Sequence, residues 1–408
     1  MALTIGTVYG QDDAGTVVVA PGDTIKLVVA TDLTGPIAEM GLDIQQAAQL
    51  AVSEVNDAGG IKGFQVELLV EDDRCSGDEA TTVASRVVSN PQIVAVVGHI
   101  CSGATIAASD VYQEARIPMM SPSATNAMLT NRGLDVFNRV AFSDAVQGIV
   151  DANYLFKVLG VTKLAILHDN DAYGLGLATV VQDEFTRLGG EVVAFEGINV
   201  DDQDYRPVLT PLVTAEPEAI FFGGYKEQAI LLVTQKNDVG LEDVIFFSDD
   251  GTYAQPFIDG AGEAAEGAYA SFAEPAGGNE EAMTEFDEKY EEMFGVAPAD
   301  LGPFHYHAYD SARILLQAID QVAVVDDAGN LVIDREALVA AVRGTKDFAG
   351  LTGTLTCDEK GECGSFTIGI NIVEDGQWVP VEVPDDLVEV AEEAPAAEAT
   401  AEATAEAE

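Results

Sequence analysis

The sequence predicts an α/β protein built as two doubly wound parallel-sheet lobes. Three observations carry this reading. Apolar runs of strand length alternate with stretches of helical apolar spacing, the pattern of a parallel sheet covered on both faces. The alternation restarts partway along the chain, giving one unit near 24–143 and a second near 144–274. The chain has 408 residues, 48% of them apolar, enough for two or three cores.

In the first unit TIKLVVATDL, from Thr24, reads as a strand. GLDIQQAAQLAVSEVNDAGG reads as a helix that Gly59-Gly60 stops. FQVELLVEDD is the next strand, DEATTVASRVVSN the next helix and IVAVVGHI the third strand. In the second unit VTKLAILHDN is a strand, YGLGLATVVQDEFTRLGG a helix and EVVAFEGINV a strand. PLVTAEPEAIFFGG, KEQAILLVTQKNDVG and DVIFFSDDG continue the rhythm. Two further helical stretches, EEAMTEFDEKYEEMFG and HAYDSARILLQAIDQV, are expected to return to the first lobe. Residues 1–23 read as an N-terminal arm or a small extra strand pair. Residues 381–408 are dominated by Glu, Ala, Thr and Pro and read as a disordered acidic tail, with a frayed Ala/Glu helix as the alternative.

Composition narrows the function. Seventy acidic residues against 19 Lys and Arg give a formal charge of −51, a field that repels nucleic-acid phosphates and anionic lipid. No nucleic-acid partner is expected. No segment reaches the roughly 20 apolar residues that span a bilayer. MALTIGTVYGQDDAG lacks a basic n-region and an apolar core, so it does not read as an export signal. The four cysteines, Cys75, Cys101, Cys357 and Cys363, allow three complete pairings. Cys357 and Cys363 flank DEKGE, a turn-like segment that a disulfide can close, which leaves Cys75 with Cys101. Two such bonds belong to an oxidising compartment; four reduced thiols in a cytosolic protein are the alternative. No CxxC spacing suggests structural zinc.

Ligands of open parallel sheets lie beyond the carboxyl ends of the strands. Those ends are TDLTGP, EDDRC, GHICSG, SPSATN, HDNDAYG, GGYKEQ and SDDG, and they hold most of the unusual polar residues. GHICSGAT is neither a G-x-S-x-G elbow nor a phosphate loop, and its spacing does not place His99 as a base for Cys101. What remains is a helix N-terminus, whose free N–H groups bind anions, with Ser102 and Thr105 as ligands or caps. Ser123 and Thr125 in SPSATN lie in a polar loop or extend the same anion site. Tyr225 and Asp250 fall at neighbouring strand ends. A carboxylate facing an anion site implies a ligand that also carries an ammonium group. For Asp250 the alternative is a turn aspartate, and for Tyr173 an aromatic packed at a helix start. His305-Tyr306-His307, read as a strand, offers two nitrogens, too few for a metal. No metal and no cofactor are expected, and His168 reads as structural.

TGPIAEMG, NDAGGIKG, VEDDRC, VVGHICSGATIAASDVYQEARIPMMSPSATN, HDNDAYGLGLATVVQDEF, FFGGYKE and GTLTCDEKG, with the spacing between them, are familiar as a set. From about Thr24 to about Val373 the chain resembles the type I periplasmic binding proteins of ABC transporters, in particular the branched-chain amino-acid (Leu/Ile/Val) receptors. The resemblance implies two α/β lobes joined by three crossovers that close on a ligand. The first lobe would comprise 24–143 and 275–350, the second 144–274 and 351–380. It implies that Ser102, Ser123 and Thr125 hold the α-carboxylate and part of the ammonium, while Tyr225 and Asp250 complete the ammonium site. Asp250 stands where the family usually has Glu. Tyr173 and Phe304 match side-chain-pocket positions, and Met40 replaces a frequent aromatic. A Cys75–Cys101 disulfide matches the family, whereas Cys357–Cys363 does not belong to its usual pattern. The implied protein is an extracytoplasmic, non-catalytic, monomeric receptor that delivers an amino acid to a membrane permease. A receptor for an amide, urea-like or aromatic acid ligand, or a ligand-sensing ectodomain, is the alternative.

Overall fold

The computed structural model describes residues 15–275, 279–364, 366–385 and 387. Five parallel strands form the first sheet, in the order Val66–Asp72, Ile25–Thr31, Ile93–Gly98, Met119–Ser121, Phe137–Arg139. Ile93–Gly98 is buried along its whole length, which explains why its sequence is an apolar run without alternation. The helix between the first two of these strands in the chain, Ala38–Asp57, ends at Gly59 and Gly60. Both have positive φ, and a Cβ at Gly60 would meet the Phe64 carbonyl at 2.1 Å.

The second sheet has seven strands, ordered Gln377–Val381, Phe366–Glu374, Tyr269–Pro275, Ile245–Ser248, Ala219–Gly223, Lys163–His168, Glu191–Gly197. The five from Tyr269–Pro275 onward are parallel, and the first two are antiparallel additions. Asp375 and Gly376, both at positive φ, make the tight turn between Phe366–Glu374 and Gln377–Val381. Among the described residues no helix is long and apolar enough to cross a membrane.

The chain passes between the sheets three times: after Arg139, after Pro275 and before Phe366. Helices Glu280–Phe294 and His305–Val322 return to the first lobe, against Ala38–Asp57, and the second of them also packs on strands Ile93–Gly98 and Met119–Ser121. His305 and His307 therefore lie in the first turn of a helix and not on a strand; Pro303 sits just ahead, where it costs no helical hydrogen bond.

The last crossing corrects the boundary read at 351. Leu351 and Thr352 donate backbone N–H groups to the buried Asp310 carboxylate, at 2.8 and 2.9 Å. Arg139 N–H donates to Gly361 O and Cys363 N–H to Arg139 O. Residues 351–363 are thus held on the first lobe by partners distant in the chain. Ahead of the first sheet, Thr16–Val19 pairs antiparallel with Leu331–Asp334, which also pairs with Val324–Val325. Residues 1–14 of the arm and 388–408 of the acidic tail lie outside the described residues, and Val381, read as the start of the tail, is the last residue of a strand.

Candidate functional site

The strand ends of the first sheet build one wall of a cleft. Helix Ser102–Ala115 starts directly after strand Ile93–Gly98, with Cys101 as its extended N-cap and no side chain capping it. Its first N–H groups have no intrahelical acceptor, and the helix dipole makes that end positive. The Thr105 hydroxyl is taken by Cys101 O and His99 O, so it is a structural bond and not a ligand contact. Ser102 Oγ accepts from Asn126 N at 3.2 Å, and Ser123 Oγ donates to Ile100 O at 3.0 Å, so the two hydroxyl-rich segments form one surface. Disulfide Cys75–Cys101, with Cα atoms 5.4 Å apart, staples this surface to the segment that follows strand Val66–Asp72. His99 is buried between Asp73 and Tyr112, at 2.5 and 3.0 Å, and both ring nitrogens are engaged, so it cannot serve as a base for chemistry here.

The second sheet supplies the other wall. In Ser-Asp-Asp-Gly it is Asp249, and not Asp250, that makes the turn, accepting the N–H groups of Gly224 and Gly251 at 3.0 and 3.1 Å. Asp250 is left to face the cleft. Its Oδ1 accepts from the Tyr173 hydroxyl at 2.7 Å and from Gln147 Nε2 at 2.9 Å. The Tyr173 and Tyr225 rings lie 5.2 Å apart. Burial raises the pKa of both tyrosines well above the ordinary range, and nearby aspartates push the same way, so both remain neutral donors. Burial also raises Asp249 and Asp250, and Asp249 rises further because it feels the charge of Asp250. Both carboxyls therefore stand above the ordinary aspartate range.

Three residues absent from the sequence reading complete this wall. Helix Asp144–Asn153, at the first crossing, turns Asp144, Gln147 and Asp151 inward, all fully or almost fully buried. Gln147 links Asp250 to Ser271, which donates to Asp151 at 3.1 Å. Burial pushes the Asp144 carboxyl up to about 8, the Asp250 charge adds to the rise, and the Thr125 hydroxyl and the Arg139 guanidinium oppose it. Thr125 Oγ1, both Asp144 oxygens and Gln147 Oε1 are buried without completing a hydrogen bond. Orphaned buried polar atoms are costly, and these are grouped beside Asp250. The available signal was the i, i+3 spacing of Asp144 and Gln147, which on a helix reads equally well as a solvated face.

The lobes touch around this cleft. Asn126 Nδ2 donates to Ala172 O at 2.5 Å, Lys226 pairs with Glu39, and the Tyr225 hydroxyl lies 3.9 Å from Cys75 Sγ. A Cβ at Gly103 would come within 2.8 Å of Asp171 Oδ1, and one at Gly176 within 2.4 Å of Asn126 Nδ2. The structure thus gathers Ser102, Ser123, Thr125, Tyr173, Tyr225 and Asp250 around one cleft. Met40 lies on helix Ala38–Asp57 against Gly302. Phe304 is buried among Phe142, Phe272 and His307, its ring 5.3 Å from Phe272 and 5.5 Å from His307. Among the described residues no hydrogen bond or ring contact joins these two to the polar group. His168 accepts from Asn170 N and packs on Phe195, a structural role.

Two sheet lobes with polar strand ends turned toward each other across one cleft are the build of a two-lobed small-molecule receptor. The chain belongs to the periplasmic binding protein family, which it matches over residues 24–365. It is 33% identical over 348 residues to a leucine-, isoleucine-, valine-, threonine- and alanine-binding protein of Pseudomonas aeruginosa, covering 84% of this chain and 88% of that one. It is similar to the crystal structure of a leucine binding protein from Thermotoga maritima, at 28% identity and TM-score 0.78, covering 89% of this chain and all of that one. A branched-chain amino acid transporter substrate binding protein of Streptococcus pneumoniae, in complex with isoleucine, superposes with TM-score 0.76 at 29% identity, covering 88% of this chain and 100% of that one.

Proposed function

We propose that this protein is the extracytoplasmic receptor of an ABC transporter, closing its lobes on a zwitterionic aliphatic amino acid and presenting it to a membrane permease. One observation supports this above others: the cleft has walls of opposite electrostatic preference. On one side lie an uncapped helix N-terminus with Ser102 and Ser123; on the other lie Asp250 and Asp144. A carboxylate suits the first wall and an ammonium the second. In this reading Thr125, next to Asp144, donates or accepts at the junction, and Tyr225 contributes a hydroxyl from the second lobe. Met40 and Phe304 border the aliphatic side chain. Among the described residues no nucleophile with base and orienter stands in the cleft, and His99 is fully engaged elsewhere, so a binding role fits better than catalysis. An aromatic acid or urea would leave two buried carboxyls without a cation. Mass spectrometry of ligand carried through purification, followed by calorimetry with leucine, isoleucine and valine, tests the proposal. Recovery of an aromatic acid, with no heat from any amino acid, would overturn it.

Affinity should depend on pH in a defined direction. Asp144 sits at about 8 and Asp250 above its ordinary value in the ligand-free protein. An ammonium ligand favours their ionised forms, so binding expels protons. Leucine affinity is expected to rise as pH goes from 5 toward 8 and to fall again where the ligand's own ammonium loses its proton. A flat profile by calorimetry would place the ammonium elsewhere.

Closure needs a bare backbone at Gly103, where Asp171 of the other lobe approaches. Gly103→Val is expected to weaken leucine binding by roughly tenfold or more, about 1.4 kcal/mol per decade. Ligand-free melting should change little. Unchanged affinity would mean that the lobes close without this contact.

A further inference from the structure

The second disulfide lies away from the cleft, yet a short chain of contacts joins it to the binding loop. Arg139, with no exposed surface, donates from Nη1 to Ala124 O at 3.1 Å and to Asn126 O at 3.0 Å. The carbonyls on either side of Thr125 are thereby tied from behind, and Thr125 O accepts the Asp144 N–H between them at 3.0 Å. The rest of the guanidinium is gripped by Glu362, with Nε to Oε2 at 2.7 Å and Nη2 to Oε1 at 2.5 Å, and Thr130 Oγ1 donates to the same carboxylate at 2.8 Å. A fork-to-fork pair of this kind fixes orientation as well as position.

Glu362 belongs to the loop closed by Cys357–Cys363, whose Cα atoms are 3.8 Å apart. Asp358 Oδ1 accepts the N–H groups of Lys360 and Glu362 inside that loop. Gly361 has φ +95°, and a Cβ there would meet Phe137 O at 2.5 Å. The loop's backbone is thus set from within and seated on the first lobe, immediately ahead of the third crossing.

Resting on the reading of the cleft as an amino-acid site, we infer that the disulfide-closed loop is a positioning device for the binding loop. Glu362 and Arg139 are its positioning residues: they touch no ligand but fix the peptides around Ser123 and Thr125. Support behind a binding group matters because a site left about 1 Å too loose loses its function.

The test uses the full chain as Glu362→Gln and, separately, as the double variant Cys357→Ser/Cys363→Ser, which keeps Arg139 and Glu362. Calorimetry compares leucine, leucinamide and 4-methylpentanoate, with amide hydrogen exchange of residues 122–126 followed without ligand. The expected result is a roughly tenfold loss of leucine affinity in each variant, with faster exchange over 122–126. The preference for leucine over leucinamide should shrink, because the loop faces the carboxylate. The preference over 4-methylpentanoate, set by Asp250 across the cleft, should persist. Unchanged exchange and unchanged preferences in folded variants overturn the inference, as does an equal fall of both preferences, which would indicate general loosening. If the parent protein binds no amino acid, the functional reading fails by itself, and the ligand-free exchange still decides whether the loop is positioned from behind.

Discussion

Asp250→Asn is expected to weaken leucine binding by roughly 10²–10³-fold or more. The substitution keeps the size and the Tyr173 contact but removes the charge that faces the ammonium. Asp250 is buried and held in place by Tyr173 and Gln147. Screening by salt is weak in such a place. Removing one partner of a buried pair costs about 3–5 kcal/mol, because the other charge stays buried without it, and the quoted range follows from that figure. Titration calorimetry with leucine and 4-methylpentanoate checks it. The variant should lose its preference for the amino acid over the des-amino acid. An Asp250→Asn protein that binds leucine as tightly as its parent would show that the ammonium is held elsewhere, with Asp144 the next candidate.

Asp144→Asn should act on stability and binding in opposite directions. A carboxyl raised from 3.8 to about 8 by burial means that the fold holds this proton more tightly than the unfolded chain does. Its contribution to stability is whole below about pH 3.8 and is lost as pH rises through about 8. The ligand-free parent therefore carries a cost at this position near neutral pH and above. Asn removes the titration at nearly equal volume. The variant is expected to be about 1–3 kcal/mol more stable than the parent at pH 8, with a flatter pH dependence between 5 and 8. It should bind leucine roughly tenfold more weakly. Urea unfolding at both pH values measures the first effect and calorimetry the second. A variant less stable at pH 8, with the parent's pH slope, would mean that the Asp144 proton is held by a partner and not forced on by burial. A residue that lowers stability while serving the site is the usual trade between the two.

Much of the fold could be read from periodicity, because each strand-helix unit carries its pattern locally. Ile93–Gly98 announced itself as an apolar run, and Gly59-Gly60 marked the end of a helix. Failures came where distant partners decide. Residues 351–363 contain few large apolar side chains and stay on the first lobe through Asp310, Arg139 and Glu362. No local pattern records such bonds. His305-Tyr306-His307 mimics strand alternation, and only the helical spacing that continues through HAYDSARILLQ distinguishes the two. Within the site, Ser102, Ser123, Thr125, Tyr225 and Asp250 were conspicuous at strand ends, where a parallel sheet exposes its loops. Asp144, Gln147 and Asp151 escaped notice because they lie inside a helix, where charged residues normally meet water. Whether Asp250 is a turn aspartate was open in the sequence; Asp249, which accepts the Gly224 and Gly251 N–H groups, takes that role.

The three crossings also set the order in which the protein can assemble during synthesis. Arg335 donates to the carbonyls of Pro91 and Ile93, at 3.1 and 3.0 Å, more than two hundred residues earlier. Strand Tyr269–Pro275 finds its outer neighbour only in Phe366–Glu374. Neither lobe can complete its core until most of the chain has left the ribosome, and a fragment ending near 275 would hold two unfinished halves rather than one finished domain. Contacts so distant in sequence also slow folding, since long loops must close before any gain is realised. The nascent chain therefore remains uncommitted for most of its synthesis.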